Sequence, residues 1–325
     1  MNTSEPTYAE LQVTSNFSFL RGGAHPQEFA ARAGELGYPA IAVTDRNTLA
    51  GVVRAHLSAK NAGTRVIVGA RLDFADDTPA LLCLPTNQLA YSRLSRLLTL
   101  GKRRARKAEC HLSKADLFAP DGVFQRGAQQ VLIAISPNNP DESFSFFLNR
   151  MHGELESETY LAASYLYRGD DVRRLALLSH IAEATGIPLV ATNDARYHIA
   201  ERRVLADILV CIREHCTIDT AGHRLNVNAE RHLKPAAEMV RLFRDYPQAV
   251  ARTIEIAEKC RFSLEDLRYE YPAEPVPTGR TPDAELAHLA WRGAANRYPN
   301  GVPEKVRTQI EHELALIAEL RYAAY

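Results

Sequence analysis

Short, continuously apolar runs alternate with amphipathic helical runs along the first two-thirds of the chain, and this alternation limits the fold more than any other feature. The runs are Ile41-Ala42-Val43-Thr44, Val66-Ile67-Val68-Gly69, Leu81-Leu82-Cys83-Leu84, Val131-Leu132-Ile133-Ala134-Ile135, Tyr160-Leu161-Ala162-Ala163 and Pro188-Leu189-Val190-Ala191-Thr192, with a first strand over Tyr8 to Thr14. Strands apolar on successive residues are buried on both faces, and the helix between two of them makes the crossover to a parallel neighbour. Pro26 opens a helix whose stripe is Phe29, Ala33 and Leu36, closed by Gly37; the next helix carries Leu49, Val52, Val53 and Leu57. Asn87 caps a third, with Leu94, Leu97 and Leu98, ending at Gly101, and a later one carries Val172, Leu175, Leu178 and Ala182 before Gly186. About seven such units predict an α/β protein with a closed or distorted barrel rather than a sandwich. After residue 199 the pattern turns mainly helical. Pro272, Pro275, Pro277 and Gly279 read as a linker, and Val306, Ile310, Leu314 and Ile317 trace one helical face beyond it.

Composition removes other classes. The chain has 325 residues, 46% of them hydrophobic, with 39 Lys+Arg against 39 Asp+Glu. That describes a globular chain with a real core, long enough for about two domains or one large barrel with an appendage. Balanced charge argues against a dedicated nucleic-acid coat. No apolar run approaches the ~18–20 residues of a membrane span, and the first residues carry neither a basic nor an apolar leader segment. Five cysteines, an odd number without C-x-x-C spacing, read as reduced thiols in a cytoplasm rather than a disulfide framework or zinc knuckle.

In a parallel α/β barrel the C-terminal ends of the strands build the site. The mouth is therefore read from Gln12 and Thr14, Thr44-Asp45-Arg46, Gly69-Ala70-Arg71, Ala162, and Asn193-Asp194-Ala195-Arg196, with His198 just beyond.

These stretches carry a family resemblance. Leu11-Gln12-Val13-Thr14-Ser15-Asn16-Phe17-Ser18-Phe19-Leu20-Arg21-Gly22 resembles the opening of the polymerase and histidinol phosphatase (PHP) domain. Ala42-Val43-Thr44-Asp45, Val68-Gly69-Ala70 and Val190-Ala191-Thr192-Asn193-Asp194 resemble its later motifs. Ala50 to His56, Asn228 to Leu233, Cys260 to Leu264, Leu267 to Pro272 and Glu311 to Ile317 extend the likeness to the damage-inducible, error-prone branch of bacterial C-family DNA polymerases. The resemblance implies a distorted (β/α)7 PHP barrel with C-terminal helices over 1–270, then a linker and the first helices of the polymerase palm over 271–325. It implies translesion synthesis in damage-induced mutagenesis for the longer enzyme. Its partners would be DNA, the sliding clamp and accessory proteins of the mutagenesis complex, in the cytoplasm and away from membranes. The palm aspartates that would bind Mg lie outside this chain, so no cofactor is expected in it.

Active PHP domains hold divalent metals with His, Asp and Glu. Carried over position by position, the first-strand H-x-H reads Gln12-x-Thr14. The His after the motif aspartate is Arg46, the acidic residue of G-x-E is Arg71, the strand Glu is Ala162 and the last His is Arg196; a further His position aligns with Ala80. Only Asp45 and Asp194 remain. An amide, a hydroxyl, methyls and guanidiniums cannot hold a metal cluster, so the site reads as degenerate and without catalytic residues. The sharper expectation is that Arg71, Arg196 and Arg46 take the cation positions and pair with Asp45 and Asp194; the blander one is that they point to solvent. Two other readings stay open: an active metal-dependent phosphoesterase or 3′–5′ exonuclease, and a DNA- or partner-binding module. The latter would act through Gly101-Lys102-Arg103-Arg104-Ala105-Arg106-Lys107, whose Lys102, Arg103, Arg104, Arg106 and Lys107 form the one dense basic run. His25 is expected at a helix start, and Trp291 with the Val306, Ile310, Leu314 stripe as core anchors, part of that stripe being exposed where the palm would cover it.

Overall fold

The structure is a computed structural model that describes residues 6–119, 124, 129–267 and 275–324. Pro272 and the expected boundary at 270/271 lie outside the described residues. Contacts divide the chain into two units, Met1–Leu267 and Arg268–Tyr325.

The first unit begins with β1 (Glu10–Val13), α1 (Pro26–Glu35), β2 (Ala40–Arg46), α2 (Val52–Ala62) and β3 (Arg65–Leu72). It continues with β4 (Leu81–Pro85), α3 (Gln88–Arg103), α4 (Lys114–Phe118), β5 (Gln130–Ile135) and α5 (Glu142–Glu154). Then come β6 (Glu158–Ala163), α6 (Asp171–Thr185), β7 (Leu189–Ala191), α7 (Arg203–Arg213), α8 (Ile218–Ala221), α9 (Ala236–Leu242) and α10 (Pro247–Lys259). The seven strands lie in one sheet in sequence order. All pairs are parallel except those of β4, which runs antiparallel to both β3 and β5. This corrects the uniform series of parallel crossovers expected from the sequence. The β3–β4 connection, residues 73–80, is too short for a crossover, which needs about a dozen residues or more, so β4 turns straight back. Reversal puts Ala80, just before β4, at the same end of the sheet as the C-termini of its neighbours.

Strand ends meet to close the barrel. Val13 bridges Ala195 in parallel, with Thr14 N–H donating to the Ala195 carbonyl and Ala195 N–H to the Gln12 carbonyl, both at 2.9 Å. Alongside this bridge the backbones diverge and buried side chains complete the seam. Glu10 Oε2 accepts from Asn193 N–H at 2.9 Å, Glu10 Oε1 from Gln12 N–H at 2.9 Å, and Gln12 Oε1 from Thr192 Oγ1 at 2.9 Å.

Alternation along the strands sorts two cores. Leu11, Ala42, Ile67, Leu82, Leu84, Val131, Ile133, Tyr160, Ala162 and Val190 face the barrel interior, together with Ile256, Ala257 and Cys260 of α10 and its C-terminal end. The opposite face packs Val13, Ile41, Val43, Val68, Leu132 and Leu161 under the surrounding helices. α10 plugs one end of the barrel. Thr253 Oγ1 accepts from Ala9 N–H at 3.2 Å, the Cys260 carbonyl accepts from Arg65 at 2.5 Å, and Arg252 donates to the Leu189 carbonyl at 3.0 Å. Lys259 pairs with Glu158 at 2.5 Å, and Arg261 N–H reaches the Thr86 carbonyl at 3.2 Å. These partners sit at the starts of β1, β3, β6 and β7 and at the end of the reversed β4, so α10 covers the end of the barrel opposite the strand C-termini.

Three helix readings change. α3 continues through Gly101 to Arg103, because Gly101 is buried where a Cβ would lie 2.6 Å from Cys110 Sγ and Leu112 Cδ2. That glycine is there for close packing rather than termination. α2 buries Val52, Ala55 and Ala59, leaving Val53 and Leu57 exposed, since its small residues let it lie close to α1. In α6 the buried stripe is Leu175, Leu178, Ile181 and Ala182, with Val172 exposed in the first turn. All five cysteines are unpaired.

The second unit contains α11 (Pro282–Arg297) and α12 (Glu304–Leu320). Val306, Ile310 and Leu314 are half-buried, and Trp291, also half-buried, carries the Arg307 guanidinium 5.5 Å from its ring centre. Ala294 is the buried residue among those described in this unit, and Trp291 and the stripe are partly exposed rather than deep core. Two helices offer each other only one face.

Two predictions follow from this packing. A Cβ at Gly34 of α1 would sit 2.3 Å from the Ala62 backbone carbonyl, so Gly34→Ala is expected to destabilise by about 1–3 kcal/mol in urea unfolding. Burial raises the Glu10 carboxyl from 4.5 to about 7, against hydrogen bonds from Tyr8, Gln12 and Asn193 and the nearby Lys234 charge. Between those values the folded chain keeps a proton that the unfolded chain has lost. The stability contributed by protonated Glu10 is therefore complete below about pH 4.5 and lost as pH rises through about 7. Wild type should lose up to about 3 kcal/mol across this window relative to Glu10→Gln, and equal pH slopes for the two proteins would contradict it.

Candidate functional site

The open mouth gathers every residue singled out on strand ends. Gln12 and Thr14 are buried on and just after β1, and Ala162 is buried on β6 among Tyr160 and Val190. Gln12 spends its carbonyl oxygen on Thr192, as part of the seam. Parallel pairing of β2 with β3 puts Arg46 opposite Arg71.

Asp45 is not paired with an arginine, contrary to the expectation. Its carboxylate accepts from Ser15 N–H at 2.8 Å, from Ser15 Oγ at 2.6 Å and from Ser18 Oγ at 2.6 Å. The Ser15–Ser18 turn wraps this carboxylate from above and saturates it before any guanidinium can reach it. Burial lifts its pKa above the usual aspartate value, with the serine bonds working the other way. Ser18 Oγ also accepts from Arg46 N–H at 2.9 Å, which ties the turn to the end of β2.

Arg46 and Arg71 share a different acid, Asp73. Arg46 Nη1 lies 2.8 Å from Asp73 Oδ2 and Arg71 Nε 2.8 Å from Asp73 Oδ1. Asp73 is two residues beyond Arg71, at the spacing that keeps side chains on one face of an extended chain. It is therefore nearer than either aspartate expected from the sequence. Asn47 Nδ2 donates to the Asp73 carbonyl at 2.9 Å and Asn47 Oδ1 accepts from Asp73 N–H at 3.0 Å, fixing the bridge.

Asp194 does meet Arg196, at 3.7 Å, but its closer partner is Arg231. Arg231 comes from the segment after the barrel, which Asn193 anchors. Asn193 Nδ2 donates to the Glu230 carbonyl at 2.9 Å and the His232 carbonyl at 2.6 Å, and Lys234 Nζ donates to Asn193 Oδ1 at 3.3 Å. Arg196 N–H donates to the Arg231 carbonyl at 2.9 Å. Asp194 itself adopts φ 45°, a left-handed conformation that aspartate tolerates better than most residues.

Guanidiniums thus crowd the mouth. Burial, followed by neighbouring arginines, holds Arg46, Arg196 and Arg231 below the ordinary arginine range; Arg71 contributes to all three shifts. No group of three or more His, Cys, Asp or Glu among the described residues is placed to hold a metal ion. The donors do not fit the metal cluster that the fold family implies. Asp45 is fully engaged by serines, Asp73 and Asp194 each bridge two arginines, and no imidazole joins them. His198 lies edge-on to Phe29, with ring centres 6.5 Å apart, and His25 caps α1. Asp73 and Arg231 were missed from the sequence. The Arg71-Leu72-Asp73 spacing could have signalled the first, whereas nothing local points to the second.

The basic run lies elsewhere. Lys102 and Arg103 complete the last turn of α3, and Arg104 is its C-cap. Arg104 Nη1 donates to both oxygens of Asp116 at 2.7 and 2.9 Å, so it holds the loop to α4 and is not free for a ligand. Lys102, Arg103, Arg106 and Lys107 are exposed.

The mouth network makes Asp194 the counter-ion of two half-enclosed guanidiniums. Asp194→Asn should cost about 3 kcal/mol, because it strands both. Adding Arg231→Met should recover part of that loss in a double-mutant cycle, and simple additivity would show that the pair is not coupled.

Comparison with known proteins gives one domain match and several relatives. Residues 10–158 match the PHP domain family model. The chain is 50% identical over 320 residues to the error-prone DNA polymerase of Caulobacter vibrioides, covering 98% of this chain and 29% of that protein. It is 48% identical over 325 residues to the error-prone DNA polymerase of Rhodopseudomonas palustris, again over 98% of this chain and 29% of the relative. It is 44% identical to error-prone DNA polymerase 1 of Agrobacterium fabrum, over 99% of this chain and 29% of that protein. The chain therefore spans less than a third of the length of these relatives. Among solved structures, an amidohydrolase from Chromobacterium violaceum aligns over 57% of this chain and 85% of its own, at TM-score 0.40 and 15% identity. By its domain match and its near-complete alignment with these relatives, the chain belongs to the PHP region of the error-prone C-family DNA polymerases.

Proposed function

We propose that this chain is a non-hydrolytic PHP module that supports the fold of a longer error-prone DNA polymerase acting in translesion synthesis and damage-induced mutagenesis. One observation carries the reading. A chain aligned over 98% of its length with error-prone polymerases offers arginines at the barrel mouth where a hydrolytic metal site would need histidines and free carboxylates. Nucleotidyl transfer would be carried out by aspartates and Mg outside this chain. DNA, the sliding clamp and mutagenesis-complex accessory proteins would be met mainly by those other regions, in the cytoplasm. Residues 271–325, including α11 and α12, would begin the palm.

Within the chain the mouth residues would act structurally. Asp73 and Asp194 neutralise guanidiniums in the positions from which a metal cluster would otherwise draw the loops together. The seam at Glu10 and Gln12 and the α10 plug hold the barrel without such a cluster. A second contact is supported by the exposure of Lys102, Arg103, Arg106 and Lys107 at the end of α3, which suits DNA phosphates or an acidic partner.

Two measurements test this reading. The purified chain should carry substoichiometric zinc, manganese and iron by elemental analysis. It should also leave a generic phosphodiester intact when Mn is added. A bound metal equivalent whose removal abolishes hydrolysis would replace the structural reading with the phosphoesterase or exonuclease one.

A further inference from the structure

α7 ends in a Schellman turn with both of its backbone bonds made. Glu214 is the C-cap, His215 follows at φ 52°, and His215 N–H donates to the Ile212 carbonyl at 3.4 Å. Cys216 N–H then reaches back to the Cys211 carbonyl at 3.0 Å. This turn lays the side chain that follows the left-handed residue against the third side chain from the helix end, a contact usually made by two apolar groups. Here both are cysteines. The N–H···O bond keeps their Cα atoms within roughly 7 Å, which is inside the reach of a disulfide. The two thiols also act on each other: burial, then the neighbouring Cys216, raises the Cys211 thiol above its usual value.

The other three cysteines lack this setting. Cys83 and Cys260 are buried in the cores on the two faces of the sheet, and burial pushes the Cys260 thiol up to about 12. Cys110 is half-buried and donates to the Leu98 carbonyl at 3.9 Å. At the end of α7, by contrast, Cys216 is half-buried and Cys211 is buried beside it. A small oxidant therefore meets Cys216 first, with Cys211 behind it. A thiol oxidised to a sulfenic acid goes on to a sulfinic acid unless a second thiol in contact intercepts it. Cys211 is held where it can do so.

We propose that Cys211 and Cys216 form a redox modification site, a dithiol that hydrogen peroxide converts into an intrachain disulfide. The Cys216 sulfur attacks one peroxide oxygen, the O–O bond breaks, and the departing hydroxide leaves as water with the proton the thiol gave up. Cys216 is then a sulfenic acid. The Cys211 sulfur attacks the Cys216 sulfur, the S–O bond breaks, and that hydroxyl leaves as water with the Cys211 proton. Two thiols have lost two electrons and two protons, and one peroxide has become two waters. The new bond fastens the last turn of α7 to the residue just before α8 and its N-cap Thr217. α7 also holds the loop after β1, through Arg213 donating to the Leu20 carbonyl at 2.8 Å and through Ala206, whose Cβ would lie 3.4 Å from a Cβ at Gly23. Oxidation therefore stiffens the helix end that supports this loop.

The intact chain is treated with hydrogen peroxide, denatured, alkylated and digested with trypsin. Arg213 lies between the two cysteines, so cleavage puts them on separate peptides, Val204–Arg213 and Glu214–Arg224. Mass spectrometry should find these two peptides linked, with the link reversed by dithiothreitol and with Cys83 and Cys260 still alkylated. The oxidised chain should melt a few degrees above the reduced one, because the cross-link restricts the unfolded state. In Cys211→Ser, Cys216 should instead reach the sulfinic acid, which dithiothreitol does not restore. Cys216→Ser, at the more exposed position, should lose both the link and the melting shift while keeping the circular dichroism spectrum of reduced wild type. The proposal is overturned if wild type yields no linked peptides. It fails equally if Cys216 is over-oxidised as readily in wild type as in Cys211→Ser, or if either cysteine is linked to a different one.

Discussion

The barrel depends on the way its first strand meets the segment after its last one. β7 is only Leu189–Ala191, and beyond it the regular ladder is replaced by one bridge, Val13 to Ala195. Main-chain bonding alone would leave N–H groups of the diverging backbones unsatisfied in a dry interior, where each costs about 1–3 kcal/mol. Glu10 and Gln12 supply the acceptors. The Glu10 carboxylate accepts from Asn193 and Gln12, and the Gln12 side chain accepts from Thr192. A buried glutamate is thus tolerated because it stands in for missing backbone carbonyls.

The Asp194 and Asp45 sides of the mouth follow from that seam and from β1, while β2–β3 pairing brings Arg46 and Arg71 to Asp73. Once Asn193 is held against β1, its side chain fixes the carbonyls of Glu230 and His232, which brings Arg231 to Asp194. On the other side, the loop after β1 folds Ser15 and Ser18 onto Asp45. Two aspartates that would be metal ligands in a hydrolytic relative are thereby given different tasks: one anchors a turn, the other joins two guanidiniums. A chain with equal numbers of acids and bases thus gathers four guanidiniums, Arg46, Arg71, Arg196 and Arg231, at one end of the barrel.

Much of this was legible in the residues. The seven strands, the helices between them, the prominence of Asp45 and Asp194, and the exchange of ligand types for arginine follow from apolar runs, capping residues and motif positions. Pairing was less legible. Arg46 and Arg71 were expected on Asp45 and Asp194, yet Asp73 takes both, because proximity along an extended strand end prevails over motif position. Arg231 could not be foreseen, since its approach depends on side-chain bonds from Asn193 to a segment far along the chain. Gly101 looked like a helix stop and is instead a close-packing position, which depends on the loop that carries Cys110 and Leu112.

The sequence by itself determined the fold class, because burial on both faces leaves a continuously apolar strand few places other than the inside of an α/β layer. It also determined the chemistry available at the mouth, because side-chain type decides whether a metal can be held. Only the tertiary structure decided the partner of each charge and the gathering of guanidiniums at one end. Those depend on distances between elements remote in sequence. Coulomb and hydrogen-bond energies change steeply over a few ångströms, and local pattern does not encode those separations.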